Sequence, residues 1–239
     1  RHSRGICSLT TLVVGARGAT GCLLVKQLLG RGEHVRAIVR SPGSFSDCVS
    51  EHSNLSVIVA SILDLDDSEM LQHVKGCRAV ASCLGHNMTF RGMFGRPRRL
   101  VADAAMRLCK AIQTSSHDGP VKFVLMNTAG NSNRDLSEPI SFAEMCVMGL
   151  LRVLLPPHVD NEKAADYLRT QVGQHDAAIE WVVVRPDNLV NEDHPTEYEL
   201  FHSPIRSAIF NPGVTSRVNV GHFMAELITS DKTWNRWKG

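Results

Sequence analysis

The stretch that decides the fold is Thr11-Leu12-Val13-Val14-Gly15-Ala16-Arg17-Gly18-Ala19-Thr20-Gly21, in which a short apolar strand runs directly into a turn carrying three glycines. From Thr20 to Gly30 the apolar residues Leu23, Leu24 and Leu28 recur at helical spacing, and Gly30-Arg31-Gly32 ends the run. A glycine pattern alone is weak; its place between strand and helix makes it credible. Without a Cβ, these residues permit a tight turn and a close approach of backbone to a ligand, with free N–H groups at the start of the helix. The segment therefore predicts a phosphate-binding turn formed by Gly15, Arg17, Gly18, Ala19, Thr20 and Gly21. The plainer alternative is a strand-to-helix connection that binds nothing.

Beyond the turn, β-branched runs alternate with amphipathic stretches. Strands are expected at Val35 to Val39, Leu55 to Ala60, Ala79 to Leu84, Val121 to Met126 and Trp181 to Val184. Helices are expected at Asp64 to Val74, Arg98 to Ile112, Asn161 to Val172 and Gly221 to Thr229. This alternation predicts an α/β fold, a Rossmann-type doubly wound parallel sheet, in which βαβ crossovers are right-handed. After Arg185-Pro186 the periodicity fades, so residues from about 187 to 239 should form a small irregular carboxy-terminal region on the substrate side of one domain spanning 1–239.

Composition narrows the function. A chain of 239 residues can build a large core without a disulfide or metal staple. The net charge is only +2 and the basic residues are scattered, which gives nucleic-acid binding no support and favours a small ligand. The seven cysteines show no metal-ligand spacing and read as buried small hydrophobes in a reducing compartment. No apolar run reaches the roughly 18 to 20 residues needed to span a bilayer, so no membrane partner and a cytoplasmic location are expected. The chain opens on Arg1 instead of Met, as expected of a piece of a longer reading frame.

The ligand can be narrowed further at the end of the second expected strand. An acidic residue there would hold the ribose hydroxyls of NAD, whereas this strand ends in Arg40-Ser41. A guanidinium offers a planar fork of donors to a 2′-phosphate, and Arg17 adds a second positive charge, so the expected cofactor is NADP(H). Both arginines have a plain alternative as solvated surface residues. Asp64, after the third strand, is placed to accept from an adenine amino group or to cap the next helix. Leu84 and Gly85, closing the fourth strand, would let the backbone run beside the cofactor or merely turn.

These residues together resemble the atypical short-chain dehydrogenase/reductase group, with its NmrA-like and flavin-reductase-like NAD(P)-binding proteins. The resemblance runs from Leu12 to about Leu189. It rests on Val13 to Gly21, on Val-Arg-Ala-Ile-Val-Arg-Ser from Val35, on Val-Leu-Met-Asn-Thr-Ala-Gly from Val124, on Glu162 to Asp166, and on Val183-Val184-Arg185-Pro186. It implies a serine hydroxyl after the fifth strand and a tyrosine four residues before a lysine. Here the lysine matches Lys163, but Val159 stands where the tyrosine would be. Thr128 takes the serine's place, Asn127 beside it is a candidate for cofactor or substrate contact, and His158 is a candidate proton donor because its ordinary pKa lies near neutrality. Each has a structural alternative: Thr128 and Asn127 as strand-end caps, Lys163 as a surface residue, His158 as part of a rigid turn after Pro156-Pro157.

The acceptor side is expected from His86 to Arg99, where Phe90, Met93 and Phe94 mix with Arg91, Arg96, Arg98 and Arg99. Phe90, Arg91 and Phe94 would form an apolar platform with arginine forks for a planar or anionic small molecule, against the alternative of a solvated loop. Phe142 to Leu155 reads as a core helix, or as a lid. The combined expectation is hydride transfer from NADP(H) to a conjugated, flavin-like or quinone-like acceptor by a monomer or homodimer. The alternatives are a non-catalytic NADP(H) sensor of NmrA type and a lyase or isomerase without net redox change.

Overall fold

In the computed structural model the first strand, β1 (Thr10–Val14), alternates its side chains between two cores. Leu12 and Val14 face one layer of helices and Val13 the other, and all three are buried. The structure describes residues 10–41, 52–86, 95–131 and 141–238. Around β1 lie β2 (His34–Val39), β3 (Leu55–Val59), β4 (Cys77–Ser82), β5 (Val121–Met126) and β6 (Ile179–Val184). All pair in parallel in the order β3-β2-β1-β4-β5-β6. This is the doubly wound arrangement, and its order reverses between β1 and β4, the position at which open sheets of this kind receive ligands beyond the strands' carboxyl ends.

Helices α1 (Ala19–Gly30), α6 (Arg217–Thr229) and α7 (Asp231–Trp237) cover one face. Helices α2 (Asp67–Val74), α3 (Leu100–Thr114) and α5 (Pro156–Tyr167), which continues as a π-helical turn over Leu168–Val172, cover the other. A Cβ on Gly221 would sit 3.1 to 3.3 Å from Leu23 and Leu24, so a glycine is what lets α6 cross α1 this closely. The carboxy-terminal region forms a two-stranded ribbon of β7 (Asn188–Val190) and β8 (Val214–Ser216). Asn219 fastens it to α6: its Oδ1 accepts from the Thr196 N–H at 2.8 Å and its Nδ2 donates to Thr196 Oγ1 at 2.9 Å.

Three sequence expectations are corrected. The helix expected from Asp64 starts at Asp67, with Asp66 and Glu69 forming a reciprocal capping box, so Asp64 is not the cap. The helix expected from Asn161 starts at Pro156, because proline in the first turn lacks only an N–H that would be unpaired anyway; His158 is therefore on a helix and not in a rigid turn. The apolar stretch expected in the core is α4 (Phe142–Leu154), which buries none of its residues. Phe142 and Val153 are about four-fifths exposed.

Among the described cysteines, Cys77, Cys83 and Cys109 are buried as expected, whereas Cys22 is half-buried and Cys146 exposed. Among the described residues no single helix is long and apolar enough to cross a membrane.

Candidate cofactor and reaction site

The glycine turn is shaped first by the protein itself. Gly15 has φ +73°, and a Cβ there would lie 2.5 Å from the Cys83 carbonyl at the exit of β4. A Cβ on Gly21 would lie 2.2 Å from the Gly15 carbonyl, and one on Gly18 3.2 Å from the same oxygen. Two of the three glycines are thus needed for the chain to pack on itself at the point where the strand order reverses. Burial holds the Cys83 thiol beneath the turn at a pKa pushed up to about 12, which makes it inert packing.

What remains open is the amino end of α1. Gly18 is its N-cap and supplies no side-chain hydrogen bond, and the first turn carries no acidic residue. By contrast, Asp66, Ser141, Ser216 and Ser230 cap their helices with side-chain oxygens. Ala19 and Thr20 lead the uncapped turn, Thr20 being buried, and the helix dipole there favours a phosphate. Arg17 reaches across to the end of β2, where its Nη1 donates to Ser41 O at 3.0 Å and Ser41 Oγ at 2.8 Å. Arg40 is exposed beside it. The turn, Arg17 and Arg40-Ser41 therefore lie along one basic rim.

Asp64 is exposed on the loop after β3, its N–H donating to Ser61 O at 2.9 Å. Leu84 is half-buried against the core and Gly85 is exposed, with no atom within 4 Å of where its Cβ would be. Glycine at 85 is thus not forced by the protein's own packing, unlike Gly15.

At the exit of β5 the side chains form a network. Asn127 is buried; its Oδ1 accepts from the Thr128 N–H and from Asn131 Nδ2, both at 2.9 Å, and its Nδ2 donates to Asn161 O at 3.0 Å. Most of its hydrogen-bonding capacity is committed to the protein, and one Nδ2 hydrogen remains to donate. Thr128 Oγ1 accepts from the Gly130 N–H at 3.0 Å and keeps its own O–H to donate. His158 stands close by, since a Cβ on Gly130 would be 3.4 Å from Thr128 Oγ1 and 3.8 Å from His158 Cε1.

The His158 ring is nearly enclosed. Its Nε2 lies 3.5 Å from Glu162 without hydrogen-bond geometry, and Glu162 is engaged by Arg152. Burial lowers the His158 pKa, Glu162 opposing and Arg152 adding to the shift. A neutral ring at neutral pH is a poor acid, which weighs against the proton-donor role. Lys163 is exposed on α5, and Val159 is half-buried.

Sequence reasoning missed two features. Asp160, fully buried, accepts from the Val101 and Ala102 N–H groups at the start of α3 and from His86 Nε2 at 2.7 Å. These partners are 58 to 74 residues away, so no local pattern announces them. The second is a cleft of about 720 Å³ between β6 and the carboxy-terminal region, lined among others by Arg185, Tyr198, Phe201 and Arg206. It adjoins the β5 exit through Ala129 and Asn131 and does not include the glycine turn. Phe90, Arg91, Met93 and Phe94 lie outside the described residues. Arg96, Arg98 and Arg99 are exposed, and Arg99 pairs with Asp103 at 3.5 Å.

The profile of the NAD(P)H-binding family matches residues 15–231. This chain belongs to the NAD(P)H-binding family. The match starts on Gly15 of the turn, and it makes the nicotinamide cofactor class of this family member plain, without distinguishing NAD from NADP. No curated protein matches the chain. Solved structures similar to this family member include one from Bacillus halodurans named for an NAD-dependent epimerase/dehydratase, 19% identical, with a TM-score of 0.67 and 94% of this chain and 90% of that one covered. An oxidoreductase of Lactococcus lactis is 17% identical, with a TM-score of 0.65 and coverage of 94% and 87%. A Streptococcus pneumoniae TIGR4 protein named for an NADH-flavin reductase is 17% identical, with a TM-score of 0.59 and 92% of each chain covered. At these identities the likeness is one of fold.

Proposed function

We propose that this NAD(P)H-binding protein is an NADP(H)-dependent reductase that passes hydride to a conjugated, flavin-like or quinone-like acceptor. The observation that carries the cofactor choice is the basic rim, in which Arg17 bridges the phosphate turn to Ser41 beside Arg40. Those two guanidinium groups would hold the 2′-phosphate, while the amino end of α1 holds the pyrophosphate. The nicotinamide supplies the hydride when bound.

The chain's own residues do the positioning. The Asn127 network fixes the β5 exit, Thr128 offers its O–H, and the aromatic and arginine lining of the cleft suits a planar anionic molecule. An acceptor that stabilises charge in its own rings needs little from a protein acid, consistent with Val159 in the tyrosine's place and a neutral His158. We place the protein in the cytoplasm, as a monomer or homodimer.

Val159 also favours a second reading, an NADP(H) sensor of NmrA type that binds without turnover. Steady-state NADPH oxidation against flavins, quinones and enones separates the two. Turnover with at least one acceptor, abolished or slowed in Thr128→Ala, is expected; tight NADPH binding with no turnover across the panel would establish the sensor.

A further inference from the structure

Arg107 lies on α3, far along the chain from the nucleotide turn, with its side chain three-quarters buried. Its guanidinium reaches the loop between β3 and α2. Nη1 donates to the carbonyls of Ile62 at 3.1 Å and Leu63 at 2.7 Å, and Nη2 donates to the carbonyl of Leu65. Its nearest carboxylate, Asp67, is 3.9 Å away and largely exposed, so the backbone carbonyls are its main partners. Ile62 and Leu65 anchor the same loop from below, both being buried.

Between these tethers Asp64 is held outward on a turn closed by its N–H to Ser61 O. Sheet order places this loop next to the end of β2, where Arg40, Ser41 and Arg17 form the basic rim. In a doubly wound sheet with the pyrophosphate at β1 and the ribose at the end of β2, the adenine lies toward β3.

We propose that Arg107 is a positioning residue that sets the affinity for the adenosine half of the cofactor by holding the Ile62–Leu65 loop in its receiving conformation. This rests on cofactor binding at the glycine turn. A guanidinium shared among three carbonyls fixes a loop that would otherwise sample several arrangements, and a ligand that fits one arrangement binds more weakly by the fraction of time it is populated. No side chain of Arg107 need touch the ligand.

The test compares wild type, Arg107→Lys and Arg107→Ala by calorimetric titration with NADPH, with 2′,5′-ADP as the adenosine half and with reduced nicotinamide mononucleotide as the other half. Hydrogen exchange is read at the amides of 62 to 66. If the loop is competent about a tenth of the time without its tether, Arg107→Ala binds NADPH and 2′,5′-ADP about tenfold more weakly. Reduced nicotinamide mononucleotide is unaffected, and exchange at Asp64 and Leu65 accelerates. Arg107→Lys, which keeps the charge but cannot span three carbonyls, falls between and serves alone if the alanine variant does not fold.

Unchanged affinity for 2′,5′-ADP in both variants, or equal losses for the two halves, overturns the proposal. A wild type that binds neither NADPH nor 2′,5′-ADP overturns the cofactor reading, and this inference with it.

Discussion

The exits of β1 and β5 lie on one edge of one sheet, two strands apart, and they are built in opposite ways. After β1 the chain turns on backbone alone. Gly15 and Gly21 are pressed against carbonyl groups at distances that admit no side chain, and the N–H groups of α1 are left open. After β5 the turn is a mesh of side chains, in which Asn127 links Thr128, Asn131 and Asn161, and Asp160 on α5 ties α3 to His86. A backbone cradle grips what all nucleotides share, their phosphates. A side-chain mesh can be rebuilt residue by residue without disturbing the strands behind it.

The largest expected effect is on the β1 exit. Gly15→Ala combines a left-handed φ with a clash against Cys83 and should cost about 4 kcal/mol as well as cofactor binding, read by thermal denaturation and NADPH titration. A variant with wild-type stability would show that the turn relaxes and that the backbone account is wrong. On the β5 side, Asp160→Ala leaves the N–H groups of Val101 and Ala102 and the His86 ring without their acceptor. It should cost about 3 kcal/mol in denaturant unfolding, and a loss below about 1 kcal/mol would mean that water replaces the carboxylate. Asn219→Ala, which releases from α6 the segment around Thr196 between β7 and β8, should cost about 1 kcal/mol and loosen the cleft without touching the glycine turn.

The smallest effect is acid-dependent. The pKa of His158 is depressed in the folded state, so the neutral ring is the one the fold prefers. That contribution is present above the unfolded value of about 6.5 and is lost as pH falls through the folded pKa. The stability gap between wild type and His158→Gln should therefore narrow from pH 7 toward pH 5 in paired melting curves. A gap that widens would mean that the fold favours the imidazolium and would restore His158 as a proton donor.

The same contrast explains what the sequence disclosed. Val13 to Gly21 announces itself because a backbone-built turn demands particular residue types at fixed spacing, and the parallel α/β sheet follows from the alternation of apolar runs. The β5 mesh is legible only in part. Thr128 and Lys163 stand out only through the resemblance to short-chain reductases, and Asp160 acts through partners on α3 and beyond β4 that no local window contains. Pro156-Pro157 read as a turn because the pair breaks most helices, although proline in a first turn is compatible with one. Helix α4 read as core because its Met and Leu residues are apolar, and periodicity reports apolar character without saying what covers it. The three-residue strands β7 and β8 are too short to carry a period.

The central claim is that the backbone cradle and its basic rim hold NADP(H). Calorimetric titration of NADPH and NADH into wild type and an Arg17→Ala/Arg40→Ala double variant tests it most directly. NADPH should bind wild type at least about tenfold more tightly than NADH, as expected for a charge-assisted pair of donors on the 2′-phosphate, with the preference lost in the double variant. Equal affinity for the two cofactors in wild type, or an NADPH preference that survives both substitutions, would contradict the account.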